Sequence, residues 1–270
     1  MTTLQNLRRR AGALRRSAYR HRNAVLRVWQ AETDPMHLVP SPVFVLCPAR
    51  SGSTLLRSLL DMHSQICAPH ELHLATMRVS TDRDYAVKAW EALGFTTADM
   101  ENLLWDRALH RLLVESGKRI VVDKTPQNAA VWERIADYWP QARYLHLRRH
   151  PAQVLKSMAA ARPHVSFDTH IQTVLAYGRQ LDAARAALPG PNIRYEELTQ
   201  RPEAILRPVC HYLGVHWERR MLRYRPGRTR PGLGDWGANI KSGVILAHAP
   251  LPTWDDVPAK LRPLVRAWGY

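Results

Sequence analysis

Residues 43–60 read "VFVLCPARSGSTLLRSLL", and no other stretch restricts the fold so much. A short apolar run ends at Pro48. A loop of small and hydroxyl residues follows, and then a leucine-rich helical pattern begins. Strand, tight loop and helix is the arrangement that cradles phosphates, because the loop lets backbone approach the ligand and the helix start offers N–H groups and the positive end of its dipole. The lysine that a P-loop places before its Ser/Thr is absent. The cation here is Arg50, early in the loop. Gly52 permits close approach, and Ser51, Ser53 and Thr54 add hydroxyls. Taken alone, the same letters also describe an ordinary strand-to-helix turn capped at Ser53.

Other segments repeat the strand-then-helix rhythm. "RIVVDKTP" is a second short apolar strand with a polar end. "ARYLHLRRHP" is a third, with a helix from about Ala152. "NIRYEEL" is a fourth, followed by the helical "PEAILRPVCHYLG". Residues 81–117 read as largely helical, with Trp90, Leu93, Leu103, Leu104, Leu109, Leu112 and Leu113 as core candidates. The tail from Arg223, rich in Pro, Gly and Arg, reads as a long ordered loop. Strands alternating with helices predict a three-layer α/β domain with a mainly parallel sheet, opened by a P-loop-like strand, loop and helix. The 270 residues suffice for one such domain. We divide the chain into a basic helical segment, 1–35, and a domain, 36–270.

Charge narrows the partners. The formal net charge is +16, which favours anionic ligands, an anionic membrane surface or nucleic acid without choosing among them. Residues 1–31 hold eight arginines and no acid. Leu4, Leu7, Ala11, Leu14 and Ala18 share one helical face there. Such a helix can dock on the domain, lie on a membrane or contact a partner, and an Arg-rich, acid-free segment also fits a transit peptide. No apolar run reaches the ~18 residues of a membrane span. Cys47, Cys67 and Cys210 are scattered, so neither a zinc site nor a disulfide framework is expected, and a cytoplasmic location fits.

In open α/β sheets, ligands bind beyond the carboxyl ends of the strands. Three strand ends here carry polar groups: "PARSGST", "DKTPQN" and "RRHP". Lys124 can reach a leaving oxygen or form a surface ion pair. Arg149 and Ser157, eight residues apart, can hold a second phosphate. Glu71, between His70 and His73, can act as a general base toward a hydroxyl.

At this point the motifs resemble a known family. "CPARSGSTLLRSLLDMHSQICAPHE" resembles the 5′-phosphosulfate-binding region of sulfotransferases that use 3′-phosphoadenosine 5′-phosphosulfate (PAPS). "YLHLRRHPAQVLKSM" resembles their 3′-phosphate-binding strand and helix. "VVDKTPQN" resembles the lysine-bearing strand end, and "IRYEELTQRPEAILRPVCHYLGV" resembles the region after the core. The spacing is similar to the tyrosylprotein sulfotransferase-like branch and its bacterial relatives, where a catalytic Glu lies 21 positions after the loop arginine, as Glu71 does after Arg50.

The resemblance implies PAPS as co-substrate, 3′-phosphoadenosine 5′-phosphate (PAP) as product and no metal. It places Arg50, Ser51, Gly52, Ser53 and Thr54 on the 5′-phosphosulfate, Arg149 and Ser157 on the 3′-phosphate, and Tyr195 near the adenosine. Lys124 and Arg50 would stabilise the leaving phosphate, and Glu71 would be the base. A late loop, "RPGLGDWGANIKSG", would cover the nucleotide through Gly234, Trp236, Lys241 and Ser242. The expected acceptor is a hydroxyl on a small metabolite or lipid-like molecule. A nucleic-acid-binding protein, without specific recognition, and a P-loop kinase are the competing readings.

Overall fold

The computed structural model describes residues 36–224, 240 and 242–270. The expected N-terminal helix, Gly234, Trp236 and Lys241 lie outside the described residues. Val39–Tyr270 forms one compact unit.

At its centre is a five-stranded sheet in the order β2-β3-β1-β4-β5. The strands are β1 (Val43–Leu46), β2 (Ile66–Cys67), β3 (Ile120–Asp123), β4 (Arg143–Arg148) and β5 (Asn192–Arg194). Every pairing is parallel, with Phe44 opposite both Asp123 and Tyr144, and Arg148 opposite Arg194. The α/β architecture expected from the sequence is therefore present. The two-residue β2 was too short to leave a periodic signal.

Strand alternation divides the core into two. Phe44, Leu46, Val121 and Tyr144 face one hydrophobic cluster, with Trp105, Trp139 and Trp268. Val43, Val45, Ile120, Val122, Leu145 and Leu147 face the other, with Leu56, Leu59 and Leu60. A side-chain period of two puts neighbours on opposite faces, so both faces need helical cover.

Among the described residues the helices are α1 (Ser53–Asp61), α2 (Asp84–Ala92), α3 (Thr97–Ser116), α4 (Trp132–Tyr138), α5 (Pro151–Ala161), α6 (Phe167–Ala187), α7 (Tyr195–Gln200), α8 (Pro202–Tyr212) and α9 (Arg262–Ala267), and all but α2, which buries no residue, contribute to that cover. The first helix begins at Ser53 itself. Its N-cap is Gly52, which makes no side-chain cap bond, so Ser53 is not the cap.

Two expectations are corrected. On α3 the buried positions are Glu101, Asn102, Trp105, Asp106 and Leu109. A period of 3.6 turns Leu103 and Leu104 to the opposite side, and Leu93 lies exposed just beyond α2; their exposures are 40%, 51% and 74%. The tail also is not all loop, because Ala259–Leu261 and α9 are helical. Leu261, Val265 and Trp268 fill the first core cluster, and the density of Pro and Arg hid this apolar spacing.

Candidate active site

Because β1, β3, β4 and β5 run parallel, their carboxyl ends emerge side by side. The chain leaves β1, crosses beyond β3 to the edge strand β2, returns to β3, and then passes β1 to reach β4. This change of direction opens a crevice where ligands bind in such sheets. The loop 47–52, Lys124, Arg149 and Tyr195 all stand directly beyond those ends.

The first loop is tightly shaped. Ser51 donates its hydroxyl to the carbonyl of Pro48 at 2.7 Å, which closes the turn internally. Arg50 has φ 67° and Gly52 φ 84°. The left-handed conformation costs a non-glycine residue free energy and is held here by its surroundings. Gly52 is required for a second reason. A Cβ there would lie 2.1 Å from Cδ2 of Tyr195. Tyr195 thus packs directly on the loop glycine.

Arg50 ties the loop to the third motif. Its Nε donates to Ser157 Oγ at 3.1 Å. Arg149 donates from a guanidinium nitrogen to the carbonyl of Arg50 at 3.1 Å, and its guanidinium stacks on the Tyr195 ring at 4.6 Å. Arg50, Arg149, Ser157, Gly52 and Tyr195 therefore converge. Burial, then repulsion from Arg149 and Arg162, lowers the pKa of Arg50. Clustered cations of this kind lower their mutual repulsion by taking up an anion.

Lys124 is 1% exposed, and its ammonium contacts Glu71 Oε1. On the other side, His73 Nε2 lies 3.4 Å from Glu71 Oε2. The loop carrying Glu71 is fixed from below by Thr125. Its hydroxyl accepts from the N–H of Leu72 at 3.1 Å and of His73 at 3.4 Å, and donates to Asp123 Oδ1 at 2.8 Å. Burial raises the pKa of Asp123 despite its hydrogen bonds from Thr125 and its neighbours. His73 takes a left-handed φ of 53°. Among the described residues, Arg50 and His73 are the non-glycine residues with positive φ, and both border this crevice.

Cys47, directly after β1, is fully buried in the second core cluster. Burial pushes its thiol up to about 11, against the opposing pull of Lys124. It is a packed thiol, not a nucleophile. Ser242 hydrogen-bonds to the carbonyl of Val244 at 3.2 Å, and the hydroxyl of Tyr224 donates to that carbonyl at 3.0 Å. Sequence reasoning did not single out Thr125, although it stands next to Lys124. A hydroxyl that holds a neighbouring loop's peptides leaves no mark in the sequence.

A profile of the Sulfotransferase family matches residues 42–219, and the chain belongs to that family. Nodulation protein NoeE of Sinorhizobium fredii is 31% identical over 218 residues, covering 68% of this chain and 51% of that protein. Protein-tyrosine sulfotransferase 1 of Danio rerio is 22% identical over 201 residues, covering 67% and 55%. The sulfotransferase domain of the Synechococcus PCC 7002 olefin synthase has a similar fold. Its TM-score is 0.62 at 24% identity, over 85% of this chain and 96% of that one. The chain spans about half the length, or less, of the curated relatives it matches. The family read from the motifs is the one found, and protein-tyrosine sulfotransferases are among its relatives. Among the described residues no helix is long and apolar enough to cross a membrane.

Proposed function

We propose that this chain transfers the sulfuryl group of PAPS to a hydroxyl of an acceptor. The observation that carries the reading is the convergence of the loop cation Arg50, of Arg149 and of the Lys124–Glu71 pair beyond adjacent strand ends. Family membership supports the same chemistry.

The 5′-phosphosulfate sits on loop 50–54 against the start of α1, with Arg50 across it. The 3′-phosphate takes Arg149 and Ser157, and Tyr195 borders the adenosine. Sulfuryl transfer, like phosphoryl transfer, is an in-line displacement in which positioning and charge stabilisation do most of the catalysis. Glu71 accepts the acceptor's hydroxyl proton. The acceptor oxygen forms its bond to sulfur as the bond from sulfur to the 5′-phosphate oxygen breaks. The electron pair leaves on PAP, where Lys124 and Arg50 stabilise it.

The Glu71–Lys124 contact gives the pair a resting state. Each holds the other's charge in a site that would otherwise desolvate both. A bound nucleotide draws the ammonium toward its phosphate and frees a carboxylate oxygen for the acceptor. The acceptor is a hydroxyl of a small metabolite or lipid-like molecule, entering past Glu71 and His73. The three cysteines are buried, which suits a reducing cytoplasm. The test is to supply PAPS with a panel of phenols and aliphatic alcohols and to follow PAP and sulfated product together. Equimolar formation, lost in Glu71→Gln, is expected. No acceptor-dependent PAP release would refute the proposal.

A further inference from the structure

Glu196 follows Tyr195 in "IRYEEL" and has no role in the proposed chemistry, yet it stands where that motif meets the one carrying Arg149. It lies in the first turn of α7, directly after β5, and is 6% exposed. Its Oε1 accepts from the N–H of His150 at 2.9 Å, the peptide immediately after Arg149. Its Oε2 accepts from the hydroxyl of Tyr270 at 2.6 Å. A carboxylate with both oxygens engaged fixes geometry more firmly than a neutral acceptor can.

Tyr270 is itself held from several sides. Its ring lies under the guanidinium of Arg194 at 4.6 Å and against the ring of His150 at 4.9 Å. Arg194 also donates to the carbonyls of Trp268 at 2.7 Å and Gly269 at 2.6 Å. Trp268 donates its indole N–H to Asp182 at 2.9 Å. The segment after α9 is thereby locked to the carboxyl end of β5.

These contacts lead to Arg149 along two lines. Glu196 ties the peptide that follows Arg149. The residue before Glu196 is Tyr195, whose ring carries the Arg149 guanidinium and whose edge rests on Gly52. We propose that Glu196, braced by Tyr270, is a positioning residue that aims Arg149 and so sets the preference for a nucleotide bearing a 3′-phosphate. This rests on the reading that Arg149 meets that phosphate.

The experiment titrates PAP and AMP into wild type, Glu196→Ala, Glu196→Gln and Tyr270→Phe by calorimetry, and records melting temperatures in parallel. The readout is the ratio of the two affinities, which a merely structural role would not move. In Tyr270→Phe the PAP:AMP preference falls several-fold with AMP affinity unchanged, as expected when one strong hydrogen bond steadying a charged group is lost, on the order of tenfold at most. Glu196→Ala loses more. Glu196→Gln, which keeps an acceptor for His150 N–H, recovers much of the preference. A wild-type ratio in Tyr270→Phe and Glu196→Ala, with only the melting temperature lowered, overturns the proposal. A wild type that shows no preference for PAP instead overturns the assignment of Arg149.

Discussion

Arg50 Nε donates to Ser157 Oγ at 3.1 Å across 107 residues of chain. The bond joins the loop after β1 to the helix after β4. The two regions proposed for the two phosphates are thus one hydrogen-bonded unit. Ser157→Ala removes this bond and a hydroxyl for the 3′-phosphate together. We expect PAP affinity to drop by roughly tenfold, about one charge-assisted hydrogen bond, while AMP binding changes less. Calorimetry on the variant checks this, and an equal loss for both nucleotides would place Ser157 outside the 3′ site.

Lys124 and Glu71 divide the proposed chemistry. Lys124→Ala removes the cation from the leaving group, and loss of a donor of that kind costs ~10²–10³ in turnover. Glu71→Gln removes the base and leaves the nucleotide site in place. We predict that both variants bind PAP and that both are slow. Saturating-PAPS rates decide it. A Lys124→Ala enzyme near wild-type rate would remove Lys124 from the mechanism. A larger loss in His73→Ala than in Glu71→Gln would move the base to the histidine.

Thr125 is the support beneath Glu71. Its hydroxyl serves two peptide N–H groups and Asp123. Thr125→Val keeps the shape and orphans these partners, at about 1–3 kcal/mol for a buried unsatisfied group. The expected result is a lower melting temperature and a reduced kcat with PAP binding retained. An unchanged kcat would mean that the Glu71 loop holds its position unaided.

Gly52 and Tyr195 are coupled by contact. Gly52→Ala forces a Cβ into the tyrosine ring and should abolish nucleotide binding. Adding Tyr195→Ala relieves the clash but not the left-handed φ, which costs on the order of 1 kcal/mol. The double variant is therefore predicted to fold better than Gly52→Ala, a non-additive result that a thermal-melt cycle detects. Additive losses would contradict the contact.

His146 gives the fold an acid limit. Its pKa is lowered from 6.5 to about 4, chiefly by burial, with Nε2 3.2 Å from the carbonyl of Leu188. The unfolded chain takes up the proton first as pH falls. Stability from this site is therefore present above pH ~6.5 and is lost progressively as pH falls toward 4, at about 1.4 kcal/mol per unit. Burial lowers the pKa of His150 in the same direction. Urea midpoints at pH 7 and pH 5 should differ more in wild type than in His146→Gln. Equal differences would remove His146 as a source.

The sheet could be read in advance because β1, β3 and β4 are short apolar runs that end in polar groups, and the same endings mark the crevice. Arg50, Lys124 and Arg149 were visible for that reason. Glu71 was not visible from periodicity; its place came from its distance along the chain to Arg50. Thr125, Glu196 and Tyr270 act through hydrogen bonds to peptides or carboxylates, most of them far away in sequence, and such bonds have no composition or period. Leu103 and Leu104 misled because adjacent leucines suggest burial, whereas the helix turns only one side to the core. Trp268 and Val265 were masked by the prolines and arginines around them.

The most direct test of the account is calorimetric titration of PAP into the wild-type protein at moderate salt, with AMP as the control. The account predicts one site per chain and much weaker AMP binding, because Arg149 and Ser157 have no 3′-phosphate to hold. Equal affinity for PAP and AMP, or no binding of either, would contradict it.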